Sequence, residues 1–377
     1  MNEGSSPAKS VRTEALSFFS VEEVARARSY HRPLYWAAAA DVAIEASVLG
    51  ALVWSGAGAA LDPGSLPWWG RTPAYGAIVV AASVAVRLPL ALWSGFIRER
   101  RWGFSTQTLG GWLADRAKGL GVGIVLAAAA WTGAVGLARA LPGWWPAAAA
   151  AALALSVLLL SLVAPLVFEP LFNRFRPLGD ERLAGELRAL AEAAGVPVRD
   201  VLVADASRRT TKVNAYVSGL GRTRRVVVFD TLLEAAGEPE VKLIVAHELG
   251  HRRDRHVAKG TLLGMAGAVV AVVVLWAALG TRVASPRELP LVLLLFTGLE
   301  LAALAPGAAL SRRWERAADR CSLELTSDGA AFERAHVALA RMNLSDLAPP
   351  RLVYRLLFTH PTPPERLALA REWAART

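Results

Sequence analysis

One cysteine, Cys321, stands in a chain of 377 residues. No intramolecular disulfide can form, and a cysteine-built metal site is excluded, which suits a reducing compartment. Histidine is almost as scarce, with six in the whole chain, so two of them at a functional spacing carry information. Charge is missing from long Ala/Val/Leu runs. A secretory leader is also missing from the first thirty residues: Leu16-Ser17-Phe18-Phe19 is too short for a signal-peptide core and has acidic residues around it. The chain is therefore expected to insert through its own spans.

What fills the chain instead is apolar, with 54% hydrophobic residues. Runs of about 20 such residues are long enough to cross a bilayer as helices. Six occur, at roughly 35–58, 73–96, 120–138, 147–168, 257–280 and 289–310. A single run could be a buried core helix. Six of them, separated by turns rich in Pro, Gly and Trp (Pro63 to Trp69, Pro142 to Pro146), describe a polytopic membrane protein with tryptophans at the interface.

The formal charge of +10 does not point to nucleic acid, because its arginines and lysines gather in alternate loops. Lys9, Arg12, Arg26, Arg28 and Arg32 precede the first run; Arg98, Arg100, Arg101, Arg116 and Lys118 lie between the second and third; Arg312, Arg313, Arg316 and Arg320 follow the sixth. The other loops carry only Arg71, then Arg139, then Arg282 and Arg287. Both termini and the segment 171–256 are thus expected in the cytoplasm. Asp41, Glu45, Arg87 and Glu300 fall inside runs, where ionisable groups are costly and face a bundle interior or a wet cavity. Pairing of Arg87 with Asp41 or Glu45, and lining of a chamber, are equally compatible with the sequence.

Residues 1–34 read as a polar lead-in with a short helix around Glu22 to Arg28. From 171 to 256 the pattern becomes soluble. Asp180 to Ala194 predicts an amphipathic helix with apolar Leu183, Leu187, Leu190 and Ala194, an Asp cap and a stop at Gly195. Val201 to Val203, Val213 to Val217 and Arg225 to Phe229 predict short strands, with a turn Ser218-Gly219-Leu220-Gly221 between the last two. Val213 to Val217 alternates apolar and polar residues and runs into glycines, so a peptide could add to it as a further strand. Asn214 can donate to and accept from such a neighbour.

Pro239 then opens a helix carrying Ala246-His247-Glu248-Leu249-Gly250-His251. Residues four apart share a helix face, so His247 and His251 can hold one Zn²⁺ from the same side. Glu248, one residue on, can take a proton from the water that the metal activates. A catalytic zinc site needs a third protein ligand and an open position. Glu315 is the best candidate: the run before it forms a hairpin with the run after His251, returning the chain to the same surface. Asp319, four residues on, can hydrogen-bond a ligand histidine. His256 reads as an exposed helix histidine. His360, in the proline-rich Thr359 to Arg366, could donate to the oxyanion of a tetrahedral intermediate, or be a surface turn residue.

These blocks, taken in order, resemble the integral-membrane zinc metalloproteases of the type I CAAX prenyl endopeptidase family. The likeness runs over Gly103 to Thr108 with Asp115 and Lys118, Glu169 to Asn173, Ser207 to Thr210, Asn214-Ala215-Tyr216, Gly219 to Gly221, Phe229 to Leu233, His247 to His251, the Glu315/Asp319 helix and His360-Pro361. The resemblance implies His247, His251 and Glu315 as ligands of one zinc ion per chain, Glu248 as general base and Asp319 as a second catalytic or orienting acid. It implies a substrate strand along Asn214-Ala215-Tyr216, with His360 and Arg366 near the scissile bond, and spans that enclose a chamber. Family members often carry one more span ahead of the stretch resembling Phe19 to Glu23; no hydrophobic segment precedes it in this sequence. The Ala- and Arg-rich composition points to a bacterial source.

The expected fold class is mainly α: a polytopic membrane helical bundle enclosing a chamber, with a small α+β gluzincin-type zinc metalloprotease domain on the cytoplasmic side. Residues 1–170 would form the N-terminal membrane domain with four transmembrane helices. Residues 171–377 would form the protease domain, interrupted by a transmembrane hairpin at about 257–311. The expected function is a zinc metalloendopeptidase of the bacterial cytoplasmic membrane. Its work would be CAAX-type processing or related membrane proteolysis on a peptide or protein substrate, with lipidated or membrane-associated chains among the candidates. Membrane-protein quality control is the alternative within the same chemistry. A carrier or channel with a structural zinc is the non-enzyme alternative, which leaves Glu248 without a task.

Overall fold

The computed structural model describes residues 14–376, apart from the Arg222 side chain; Lys9 and Arg12 lie outside them. Six helices are long and apolar enough to cross a membrane. They are α1 (Val21–Trp54), α2 (Trp68–Arg101), α3 (Leu109–Ala140), α4 (Trp145–Phe172), α7 (His256–Leu279) and α8 (Leu289–Thr326). Between α4 and α7 lie β1 (Phe175–Pro177), α5 (Glu181–Ala193), β2 (Asp200–Ala204), β3 (Ala215–Ser218), β4 (Arg225–Phe229) and α6 (Glu238–Arg253). The chain closes with α9 (Gly329–Met342), α10 (Arg351–Leu357) and α11 (Pro363–Ala374).

Five of the six helices, all but α7, are longer than the hydropathic run that foretold them, because hydropathy marks only the part bathed in hydrocarbon. The separate lead-in helix is corrected: residues 21–34 are the first turns of α1, which continues through Pro33. A reciprocal Ser20/Glu23 capping box starts it. Val24, Ala27 and Tyr30 anchor it by packing in one cluster with Phe104, Leu344 and Leu367. The sixth run and the Glu315/Asp319 segment are likewise one helix of 38 residues. At 1.5 Å per residue it is about 57 Å long, whereas a hydrocarbon core takes up about 30 Å. The surplus projects beyond the span as a continuous helical extension, beside α6.

The four strands are ordered β1-β2-β4-β3, with β2 and β4 parallel and the outer pairs antiparallel. β1 had no sequence signature, being three residues long and ending in Pro177. β3 starts two residues later than expected, since Val213 is bonded to a side chain instead of a ladder partner. α5 is capped by Asp180, which accepts from the Leu183 N–H at 3.0 Å. Its buried Leu183, Leu187 and Ala191 pack with Val201, Val226, Val228 and the Val245/Leu249 face of α6 in one core.

Connections fall at two ends. At the sheet end, residues 103–108 are stitched to 206–212: Ser105 bridges Thr210, and Thr211 N–H donates to the Phe104 carbonyl at 3.1 Å. Lys212 Nζ lies 2.8 Å from Glu99 Oε2 and 3.0 Å from Tyr30 Oη. At the far end, the buried Asp62 carboxylate accepts from Arg71 (Nε 2.7 Å) and from Arg287, joining two hairpins. Arg139 Nε donates to the Ala284 carbonyl at 3.0 Å.

A cavity of about 1770 Å³ opens among the spans from the sheet end, lined by Asp41 and Arg87 from the spans and by His247, Glu248 and Glu315 from α6 and α8. Both readings of the intramembrane charges hold. Arg87 Nε donates to Asp41 Oδ1 at 2.8 Å and Nη1 bonds Glu45, while Asp41 and Arg87 face the cavity. Glu300 is exposed and stays outside this network.

Removing one member of a buried ion pair costs about 3–5 kcal/mol, because the other charge is stranded. These side chains are about one-third exposed to the cavity, so on the order of 1–2 kcal/mol is expected for Arg87→Leu. Thermal unfolding in detergent should show the loss, and it should largely reverse when Asp41 and Glu45 are also changed to Leu.

Candidate metal centre and active site

α6 begins at Gly237 with Pro239 in its first turn, where a missing N–H is harmless. Its buried face, Val241, Leu243, Val245 and Leu249, fixes the rotation of the helix. His247 and His251 then point toward α8, their Nε2 atoms 3.2 Å apart. Glu315 meets both, Oε2 at 3.3 Å from His247 Nε2 and Oε1 at 3.2 Å from His251 Nε2. One ligand atom from each residue lies within 4.8 Å of the others, an arrangement that could hold a metal ion. The approach of the two helices depends on Gly250. A Cβ there would lie 3.0 Å from Cys321 Cβ and 3.1 Å from Ala318 Cα, so a larger residue would push α8 away.

The nitrogens that point away from this cluster also have partners. His247 Nδ1 lies 2.9 Å from Asp319 Oδ1, and His251 Nδ1 lies 2.9 Å from His256 Nδ1. The expectation of an exposed His256 is corrected: the residue is buried. Arg255 adopts a left-handed conformation (φ 57°), which bends the chain between α6 and α7 and brings His256 back under His251. Trp314 stacks on the His256 ring at 5.0 Å and 12°. A histidine whose Nε2 faces a metal carries its proton on Nδ1, so His256 Nδ1 serves His251 as the acceptor.

Arg366, on α11, binds the acids from the other side. Its Nη2 donates to Glu315 Oε2 at 2.6 Å and its Nη1 lies 3.3 Å from Asp319 Oδ1. The same Nη1 lies 3.0 Å from Nε2 of His336, a buried residue that the sequence did not single out. His336 Nδ1 donates to the Phe332 carbonyl at 3.0 Å, and its ring stacks on Phe332. Burial and the Arg366 charge hold its pKa down at about 3, so it stays neutral and accepts from Arg366. Nothing local marked it, since a helix histidine beside a phenylalanine has no motif.

Burial would lower the pKa of His247, yet the Asp319 and Glu315 carboxylates against its two nitrogens carry it up to about 9. A metal ion arriving between these groups therefore displaces a proton. Glu248 faces the cavity, and burial raises its carboxyl above the ordinary range, as suits a proton acceptor. His360 is mostly exposed, its Nε2 3.5 Å from Glu315 Oε2. Asn214 lies at the cavity wall beside β3, with Oδ1 accepting from the Ala215 N–H at 2.9 Å; the Ala215 side chain is in the core. All nine residues singled out from the sequence thus gather at one end of the cavity or on the strand beside it.

Known proteins resemble this arrangement. The pattern of peptidase family M48 matches residues 177–374, and that of the CAAX prenyl protease N-terminal region, five membrane helices, matches residues 8–174. The described part of the latter segment holds four candidate spans. An uncharacterized metalloprotease of Bacillus subtilis, YhfN, is 29% identical over 318 residues, covering 79% of this chain and 72% of that protein. CAAX prenyl protease 1 of Saccharomyces cerevisiae is 30% identical over 181 residues, 48% of this chain and 40% of that protein. The match therefore spans less than half the length of the yeast enzyme. The crystal structure of S. mikatae Ste24p superposes with a TM-score of 0.74 at 24% identity, covering 81% of this chain and 77% of that one. That likeness is one of fold.

His256→Phe keeps a ring to stack on Trp314 but removes the acceptor for His251. Metal affinity, measured by chelator competition, should fall about 10- to 100-fold. His256→Gln, which restores an acceptor oxygen, should recover part of it.

Proposed function

Because the chain belongs to peptidase family M48 and is an integral-membrane metalloprotease, we propose that it is an endopeptidase dependent on one zinc ion held by His247, His251 and Glu315. The donor set fits. Zinc bonds of about 2.0–2.1 Å in a tetrahedron place neighbouring ligand atoms about 3.3 Å apart. The two imidazole nitrogens are 3.2 Å apart, one Glu315 oxygen lies 3.3 Å from His247 Nε2 and its other oxygen 3.2 Å from His251 Nε2, so the carboxylate sits against both imidazoles. Two imidazoles and one carboxylate on a cavity wall are the donor set of a catalytic zinc site and not of a closed structural one, and the cavity would admit water beside them.

Zinc in this place supplies a Lewis acid that acidifies water and polarises a carbonyl. The remaining work belongs to the chain. Glu248 takes the proton of the water that attacks the peptide carbon, then returns it to the leaving amine as the C–N bond breaks. Asp319 and His256 hold the ligand imidazoles in one tautomer and orientation. Arg366 steadies Glu315 and Asp319, and His360, exposed beside Glu315, donates to the developing oxyanion. The substrate backbone lies along Asn214 and Ala215, because β3 is an edge strand.

The observation that carries this reading is the meeting of His247, His251 and Glu315 beside Glu248 on the wall of a cavity that reaches among the spans. A carrier with a structural metal has no use for an acid at Glu248, and membership of a peptidase family speaks against it. We assign residues 1–170 to a membrane domain and 171–377 to a protease domain interrupted by the α7/α8 hairpin. CAAX-type processing of a lipidated or membrane-associated protein is preferred to quality control, because the match to the CAAX prenyl protease N-terminal region extends over 8–174. The arginine-rich end would face the cytoplasm of a bacterium.

Glu315→Ala should lose zinc, as one of three ligands is gone. Glu248→Gln should keep it and lose peptide hydrolysis by a hundredfold or more, on the order expected for an essential proton-transfer group. Metal analysis beside hydrolysis of an unfolded casein reads both; full zinc occupancy in Glu315→Ala, or activity in Glu248→Gln, refutes the assignment. For topology, single cysteines at Ser65 and Ser285 in a Cys321→Ser background should react with an impermeant thiol reagent outside intact cells. A cysteine at Ser207 should not.

A further inference from the structure

The edge of β3 is already capped at both ends by the protein's own side chains. Asn214 and Phe229 are paired through the Phe229 N–H and Asn214 carbonyl at 3.0 Å. Strand alternation then turns the N–H and C=O groups of Val213, Ala215 and Val217 away from β4, toward the side where a peptide would add. Asn343 occupies the first position completely. Its Oδ1 accepts from the Val213 N–H at 3.0 Å, and its Nδ2 donates to the Val213 carbonyl at 3.2 Å. A side-chain amide has the donor and acceptor of a peptide unit, so Asn343 imitates one step of an added strand. At the other end, Arg252 donates to the Val217 carbonyl through Nε at 3.1 Å and through Nη2. Between them, Asn214 Oδ1 covers the Ala215 N–H from within the strand. Among the described residues the Ala215 carbonyl and the Val217 N–H are left uncapped.

Both caps are anchored in elements that also build the site. Asn343 is the residue after α9, its own N–H bonded to the Leu339 carbonyl at 3.0 Å, and the next residue, Leu344, has φ 49°. It lines the cavity together with Val213 and Asn214. Arg252 follows His251 directly on α6.

We propose that Asn343 and Arg252 are specificity-determining fences, which restrict main-chain recognition of the substrate to a three-residue stretch opposite Ala215–Val217. Within that stretch one peptide N–H reaches the Ala215 carbonyl, and the Val217 N–H serves one peptide carbonyl. Further main-chain contacts are denied because their partners are spoken for. A protease so fenced reads a short extended segment and ignores the backbone beyond it. The inference rests on the edge-strand reading above and names its register and length.

The test uses the full chain in detergent, loaded with zinc. A synthetic fifteen-residue peptide spans the β-casein bond that the wild type cuts fastest. Each amide other than the scissile one is N-methylated in turn, which removes one donor, and KM and kcat are measured. The wild type should show one sensitive position, with KM raised on the order of tenfold, as for one or two lost hydrogen bonds. Asn343→Ala should gain a second sensitive position two residues along the peptide, where an N–H now reaches the Val213 carbonyl. Arg252→Leu should gain one two residues in the opposite direction, at the Val217 carbonyl. Asn343→Ser, whose side chain is too short to span both Val213 groups, should behave as Asn343→Ala and serves if that variant does not fold. A wild-type scan with no sensitive amide overturns edge-strand binding itself. A sensitive amide that neither fence variant supplements, or a wild type already sensitive at the outer positions, overturns the fences and leaves edge-strand binding standing.

Discussion

The contact between α6 and α8 is the constraint from which the rest of the site follows. One helix supplies two imidazoles and the other a carboxylate, and they converge only because Gly250 lets the backbones approach over Ala318 and Cys321. α8 is also a membrane span, so the third donor is fixed to the end of a rigid rod whose other half is set by the bundle. Anything that tilts that span moves Glu315 relative to His247 and His251. The chemistry and the membrane anchor are therefore one mechanical unit, and neither can be repacked without the other.

Charge around the cluster is balanced in layers. Glu315 and Asp319 would be costly side by side in a buried place. Arg366 faces both, neutral His336 accepts from Arg366, and His247 sits between the two carboxylates. Deeper in the cavity the pattern recurs with Arg87 between Asp41 and Glu45. In both places one arginine is shared by two acids at the wall of the same cavity.

The protease region contributes precision more than volume. Its sheet is small, and its edge strand is short and capped, which guards against unwanted pairing with other chains. The stitching of residues 103–108 to 206–212 and the docking of Tyr30 and His31 onto Lys212 and Leu344 tie this sheet to the ends of the spans. The strand that would hold a substrate and the cavity that would admit it consequently keep a fixed relation.

Much of this was legible in the residues. Hydropathy alone locates six spans, because a bilayer imposes a length that no soluble core requires. His247, Glu248 and His251 declare themselves by helical spacing, and Glu315 and Asp319 by their place after a hairpin that must return. Local pattern fails where the partner is distant in sequence. His336, 89 residues beyond His247 by simple subtraction, enters the site only because α9 folds against α6. His256 looks exposed on a helical wheel but is buried by a left-handed bend at Arg255 and the ring of Trp314. Asn343 has no motif, yet it closes the strand edge at Val213. Spacing along one helix fixes what one face can do, so the sequence determined the spans and the metal-binding pattern. Which groups cap, orient and fence that pattern depends on contacts between residues far apart in the chain, and only the tertiary structure decided them.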